Sequence, residues 1–365
     1  MMALLTQRVD APWLSQEISS KPEVIEGVSK LLTRTNSKIQ RDACKAIGNF
    51  ARSDTVASSV VSTPGMLDNL AVVMTQDDTS AQMEAARAIA NCGAYSSDAA
   101  DAIVANKDVL SALQGLTSSK NAQLKSRAVA AIATLSAYPM CAKKMKEETT
   151  IVNSLMPMVS DKKSMFGSND LFQSTRLDAM TAVTNLDGTI NVSKPVAKDA
   201  LKSFKMCLDA SLKGSKFAGT TWAPLVTLIP LSKLSNNPEM QSVFGELKFV
   251  KSLVRALSTS DSLAEQAAAM QCLANLSNDK QCLSSMRKAK YNVAALCTSK
   301  LSCPHSKLIA EFLLGMVTKE DNNVDEGNNS QTEETTEGVK SMPESDDEDA
   351  GSPSGKIPNE AEKTE

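Results

Sequence analysis

The chain has one histidine, His305, in 365 residues, and only 4% of its side chains are aromatic. A single imidazole leaves almost no room for a Ser-His-Asp or Cys-His relay, or for a histidine-bearing metal cluster. Cys303 and His305 flank Pro304 where the last helix is expected to start. With no third group to orient the ring, a capping or packing role is the expectation there. Neither GxxxxGK[ST] nor GxGxxG occurs, and KGSK at 213–216 is only a lysine-bearing loop. The eight cysteines (44, 92, 141, 207, 272, 282, 297 and 303) show no metal-type pairing, so they read as reduced core thiols of the cytosol or nucleus. Long apolar runs are also missing. Phe217–Ser232 is uncharged but contains Pro224 and Pro230 and is short for a bilayer, so a buried helix is expected at that place. The opening MMALLTQRVD is too short for a secretory signal, and Met2 stands where myristoylation needs glycine. These absences argue against an enzyme, a cofactor and a metal.

What is present is a helical phrase that returns: DACKAIGNF, EAARAIANC, RAVAAIATL, DAMTAVTNL and AAMQCLANL, ending at Phe50, Cys92, Leu135, Leu186 and Leu276. With Asn49 as anchor, its equivalents are Asn91, Thr134, Asn185 and Asn275, spaced 42, 43, 51 and 90 residues apart. The last gap is a double one, filled by the degraded copy PLVTLIPLS around Pro230, and a terminal copy, IAEFLLGMV, is anchored at Gly315. Seven repeats result. Positions six, three and two before the anchor and one after it are apolar (Ala43, Ala46, Ile47 and Phe50 in the first copy), which keeps one helical face apolar. A second amphipathic run precedes each phrase, as in MLDNLAVVM and FVKSLVRAL, and Gly65 and Asp108 mark the turn from a short first helix.

A period in the low forties with three helices per unit resembles the armadillo-repeat proteins over residues 23–317, the alanine-rich phrase with a late Asn followed by Leu being the most specific part. The resemblance implies an all-α, right-handed solenoid of about seven three-helix repeats. Repeats four and five depart from the pattern at SDKKSMFGSND and over Val192–Gly219, where a bend or inserted loop is expected. Residues 1–22 read as a cap helix with Trp13 over the first repeat, or as an unstructured arm. From Thr318 to Glu365 there are 15 acidic and 4 basic residues with few large apolar ones, the composition of a disordered acidic tail. Ser345, followed by four acidic residues, resembles an acidophilic kinase site and is a regulatory candidate.

In armadillo proteins the third helices line a concave groove, and the resemblance implies that Asn49, Asn91, Asn185 and Asn275 offer amides to the backbone of an extended ligand. The alternative is that each Asn satisfies the end of its own helix. Four residues earlier stand Lys45, Arg87, Ala130, Thr181 and Gln271, and Arg127 lies seven before Thr134. Importin-α-like receptors carry Trp at the four-residue offset; this chain does not. Cations there are closer to β-catenin-like grooves, although Asp42 and Glu84 dilute the charge. The expected function is a non-enzymatic scaffold or adaptor, cytoplasmic and open to the nucleus, that binds an extended acidic segment of another protein. The candidate groove residues are Lys45, Asn49, Arg87, Asn91, Arg127, Asn185, Gln271 and Asn275. A transport receptor or an armadillo-type nucleotide-exchange factor is the alternative; residues 1–22 hold only Arg8 and Lys21, too few for a basic autoinhibitory arm. No small-molecule substrate is expected. Lysine clusters such as Lys143, Lys144 and Lys146 lack aromatic interleaving, which argues against nucleic acid. Oligomeric state is left open.

Overall fold

The computed structural model describes residue 17 and residues 21–160, 169–288 and 304–318. The described residues belong to one compact unit. Residues 319–365 with Ser345, Trp13, Cys297, Cys303 and most of the lengthened loop in repeat four lie outside the described residues.

Repeat one supplies α1 (Pro22–Leu32) and α2 (Ser37–Phe50), and repeat two supplies α3 (Asp54–Ser62), α4 (Met66–Thr75) and α5 (Thr79–Tyr95). Repeat three contains α6 (Ser97–Ala105), α7 (Lys107–Thr117) and α8 (Ala122–Ser136); repeat four contains α9 (Pro139–Glu148), α10 (Ile151–Ser160) and α11 (Asn169–Asp187). Repeat five has α12 (Lys194–Ser211) and α13 (Pro224–Leu234); repeat six has α14 (Pro238–Glu246), α15 (Phe249–Thr259) and α16 (Leu263–Leu276); repeat seven has α17 (Lys280–Lys288) and α18 (Pro304–Thr318). Each recurring phrase is thus the third helix of its unit, and the third helices pack in chain order: α2, α5, α8, α11, α13, α16, α18.

The local chemistry repeats as well. Four of the third helices start at a side-chain cap: Asn36 accepts from the N–H groups of Lys38 and Ile39, Asp78 from Ala81, Asn121 from Leu124 and Ser262 from Glu265. These oxygens satisfy N–H groups that the first turn leaves without intrahelical partners. Nine residues before the anchor a long polar side chain closes the corner with the second helix. Gln40 Nε2 donates to Leu32 O at 2.9 Å, Gln82 to Met74 O at 3.1 Å and Gln266 to Ser260 O at 2.8 Å, while in repeat four Arg176 Nε donates to Val159 O at 3.1 Å.

The alanines of the phrase are buried, among them Ala43, Ala46, Ala85, Ala88, Ala128, Ala131, Ala179 and Ala182. Their small size lets successive third helices approach; a Cβ added at Gly48 of α2 would lie 3.3 Å from the Ala88 Cα of α5. Cys44, Cys92, Cys141, Cys207, Cys272 and Cys282 are all buried and free.

Three expectations need correction. Repeat five has two described helices, not three, because nothing between Pro195 and Gly214 breaks the 18-residue α12. It packs on both α14 and α15 of the next repeat and so occupies two places. The buried helix expected around Phe217–Ser232 begins only at Pro224, whose fixed φ suits a first helical turn. The turn expected beside Asp108 falls earlier, since α7 starts at Lys107 with Asn106 as its cap. Among the described residues no single helix is long and apolar enough to cross a membrane.

Candidate functional site

The anchor amides reach backward along the chain. Asn91 Nδ2 donates to Gly48 O of α2 at 2.5 Å, and Asn275 Nδ2 donates to Ser232 O and Ser235 Oγ, both at 3.0 Å. Asn185, 8% exposed, donates to Ser136 Oγ at 3.3 Å and accepts from Lys233 Nζ at 2.8 Å. The ladder therefore couples one third helix to its neighbours, a role neither the helix-end reading nor the ligand reading assigned to it. An Asn side chain has two donors and two acceptor sites, and half-buried Asn91 uses one of these in the bond to Gly48.

The cations are in different states. Arg87 Nε pairs with Glu84 at 2.7 Å, and its Nη atoms bond Asn49 Oδ1 at 3.2 Å and Lys45 O at 3.4 Å. It joins α5 to α2 and brings three of the expected residues, Lys45, Asn49 and Arg87, together. Lys45, half-buried, and Arg127, exposed, make no ion pair among the described residues. Gln271 turns to its own anchor, donating to Asn275 Oδ1 at 2.9 Å.

Between these residues lies an open groove of about 990 Å³, lined by α5, α8, α11 and α13 and by a short hairpin before α13. Arg87, Arg127 and Asn185 line it; Lys45, Asn49, Asn91, Gln271 and Asn275 do not. The hairpin is held by reciprocal backbone hydrogen bonds between Phe217 and Thr220, with Ala218 at φ 49° and Gly219 at φ 75°. Tight two-residue hairpins of the I′ kind need positive φ at both central positions, and an alanine there is strained by about 1 kcal/mol. The Trp222 indole N–H donates to Phe217 O at 3.1 Å, and Trp222 lines the groove.

Two groove residues were missed from sequence. Asp178 stands seven before Asn185, the offset of Asp42, Glu84 and Arg127; the register was visible, but its half-burial was not. Burial pushes its carboxyl up to about 7, against a smaller opposing pull from Arg127. Trp222 gave no signal beyond being one of two tryptophans, since it lies outside the repeating phrase. Thr181 has a buried Oγ1 with no hydrogen-bond partner. Among the described residues no group of three His, Cys, Asp or Glu is placed to hold a metal.

No family model matches the sequence, and no curated protein is similar to it. Among solved structures, an engineered protein is 22% identical at a TM-score of 0.52, over 80% of this chain and 68% of that one. A computationally designed armadillo repeat protein for modular peptide recognition is 16% identical at a TM-score of 0.44, over 69% of this chain and 99% of that one. A designed armadillo repeat protein in complex with the peptide (KR)4 is 15% identical at a TM-score of 0.44, over the same shares. Identities this low speak to fold alone, and the fold seen in the coordinates is an all-α solenoid of armadillo type.

Proposed function

We propose that this chain is a non-enzymatic interaction scaffold that holds an extended segment of another protein along the groove of its third helices. The observation that carries the reading is the groove itself, open across four successive repeats and free of any segment of the described chain. At roughly 9 Å between packed helices, three steps span about 27 Å, the length of about eight extended residues. The unpaired cation Arg127 on the groove wall, with Lys45 on the neighbouring α2 outside the lining, favours acidic side chains in the part of such a segment near α8 and the earlier repeats.

A photo-crosslinking amino acid at Gln123, on the groove wall, compared with one at Lys143, outside it, tests the reading in cells that express the protein. Crosslinks from Gln123 should concentrate on short, protease-accessible stretches of partner proteins and decline when Lys45 and Arg127 are both changed to Glu. Equal partners and yields from both positions would overturn the groove reading.

A further inference from the structure

We infer that where the bound segment crosses α8, α11 and α13 it is a short amphipathic helix, its apolar face in the groove and an acidic residue at the edge that meets Arg127. This rests on the reading that the groove holds a segment of another protein, and it gives the middle of that segment a helical form between extended flanks.

A segment bound in extended form brings N–H and C=O groups that the groove must satisfy. The anchor row does not supply their partners here. Thr134 of α8 spends its hydroxyl hydrogen on Ala130 O at 2.9 Å. Asn185 of α11 is 8% exposed and is committed to Ser136 and Lys233. Pro230 holds the anchor place on α13 and has neither a side-chain amide nor a backbone N–H to give. Arg87 is spent on Glu84, Asn49 and Lys45 O, and the Trp222 N–H on Phe217 O. A helix asks for none of these donors, because its backbone groups bond one another.

The relief of the groove fits a helix as well. Ala130, Ala133 and Ala137 of α8 all line it, and their steps of three and four put them on one face. Alanines in the same phrase let the third helices of this chain approach one another. On the other side Val226 and Ile229 of α13 line the groove one turn apart, and Val226 is 37% exposed. A low row beside an aliphatic ridge accepts the side-chain ridges of a further helix. From α8 to α13 there are two steps of roughly 9 Å, the length of about twelve helical residues.

Charge sets the edge. Arg127 of α8 is exposed, lines the groove and makes no ion pair among the described residues. Two acids share the lining. Glu84 is held by Arg87, and burial pushes the Asp178 carboxyl up to about 7, so that about half of it is protonated at pH 7. Arg127 is thus the cation left to meet an acidic side chain beside the apolar face.

The test selects binders of the full chain from two displayed libraries of sixteen-residue peptides, one random and one with proline at every fourth position, which bars a helix. Groove binders are those that lose about tenfold or more in affinity to Val226→Asp, a variant at an exposed position whose helicity should be unchanged. They should come from the random library, with apolar residues at i, i+3, i+4 and i+7. Their edge should carry an acid that selection on Arg127→Glu replaces by a base. A proline placed mid-segment should weaken a selected binder about tenfold or more, and circular dichroism should show helix gained on binding. Groove binders drawn equally from the proline library, or with apolar residues at every second position, overturn the helix while the groove reading stands. An edge without an acid, or with one that Arg127→Glu leaves in place, overturns the pairing with Arg127. If no binder from either library is weakened by Val226→Asp, both readings fail.

Discussion

Asp178 has a carboxyl that burial moves from 3.8 up to about 7 in the folded chain. The unfolded chain ionises near 3.8 and the folded chain only near 7. Folding stability from this residue is therefore intact below pH 4, declines as pH rises through that window, and is lower above it by up to about 4 kcal/mol. The titratable or charged groups acting on or beside it are Arg127 of α8 and the buried thiol of Cys207 on α12. Asp178→Asn should remove this decline, so that its melting temperature exceeds the parent's at pH 8 and matches it near pH 4. Parallel pH profiles of the two proteins check this. The thiols show the same desolvation from the other side: Cys44, Cys92, Cys141, Cys207, Cys272 and Cys282 are each pushed up to about 12, with burial the largest cause. Since the thiolate is the reactive species, these six should resist iodoacetamide at pH 8 in the native protein and label fully in denaturant, as peptide mapping would show.

In four of the repeats, the position nine before the anchor fixes the angle between second and third helices. Gln40, Gln82 and Gln266 do this as neutral amides, whereas Arg176 does it as a cation that is 3% exposed, paired at 2.5 Å with Asp199 of α12 and lying 5.9 Å from the Phe172 ring centroid. Arg176 thus ties repeat four both to its own second helix and to the irregular repeat five. Arg176→Ala should cost about 2 kcal/mol, because it leaves the buried Val159 carbonyl without its side-chain donor and removes an ion pair whose carboxylate is half exposed. Arg176→Gln should cost less, since glutamine meets the equivalent carbonyl in three other repeats. Urea melts of the two variants would decide it, and equal losses would mean that the ion pair, not the corner bond, carries the stability. The cap of α5 is a smaller device: Asp78→Ala should cost about 1 kcal/mol, measurable in the same melts.

Across the compact unit, the repeats are coupled unequally. The third-helix ladder is thinnest where α11 meets α13, and α12 adds only modest packing to α10 and α11. That junction is also where the groove opens and where the 217–220 hairpin interrupts the pattern. In an array stabilised by nearest-neighbour interfaces, the weakest interface is where cooperative unfolding divides. Native-state hydrogen exchange should therefore show α2 to α11 protected as one block and α13 to α16 as a less stable one. Asn275→Ala, which removes the bonds to Ser232 and Ser235, should lower protection in the second block alone. A single protection level from α2 to α16 would show that the junction is as strong as the others.

The sequence by itself determined the period, the number of repeats, the apolar face of every third helix and the burial of its described thiols. Those features follow from side-chain spacing on a helix of known pitch, which needs no knowledge of distant residues. Even the register of Asp178 was legible, as one more residue seven before an anchor. Only the tertiary structure decided that Asn91, Asn185 and Asn275 bond the preceding helix, that Arg87 is spent on Glu84, Asn49 and the Lys45 carbonyl, and that α12 takes two places in repeat five. It alone brought Trp222 and Asp178 to the lining of one groove and left the Thr181 hydroxyl without a partner among the described residues. Whether a polar side chain is satisfied, and how far water is removed from a carboxyl, depends on atoms some forty residues away along the chain.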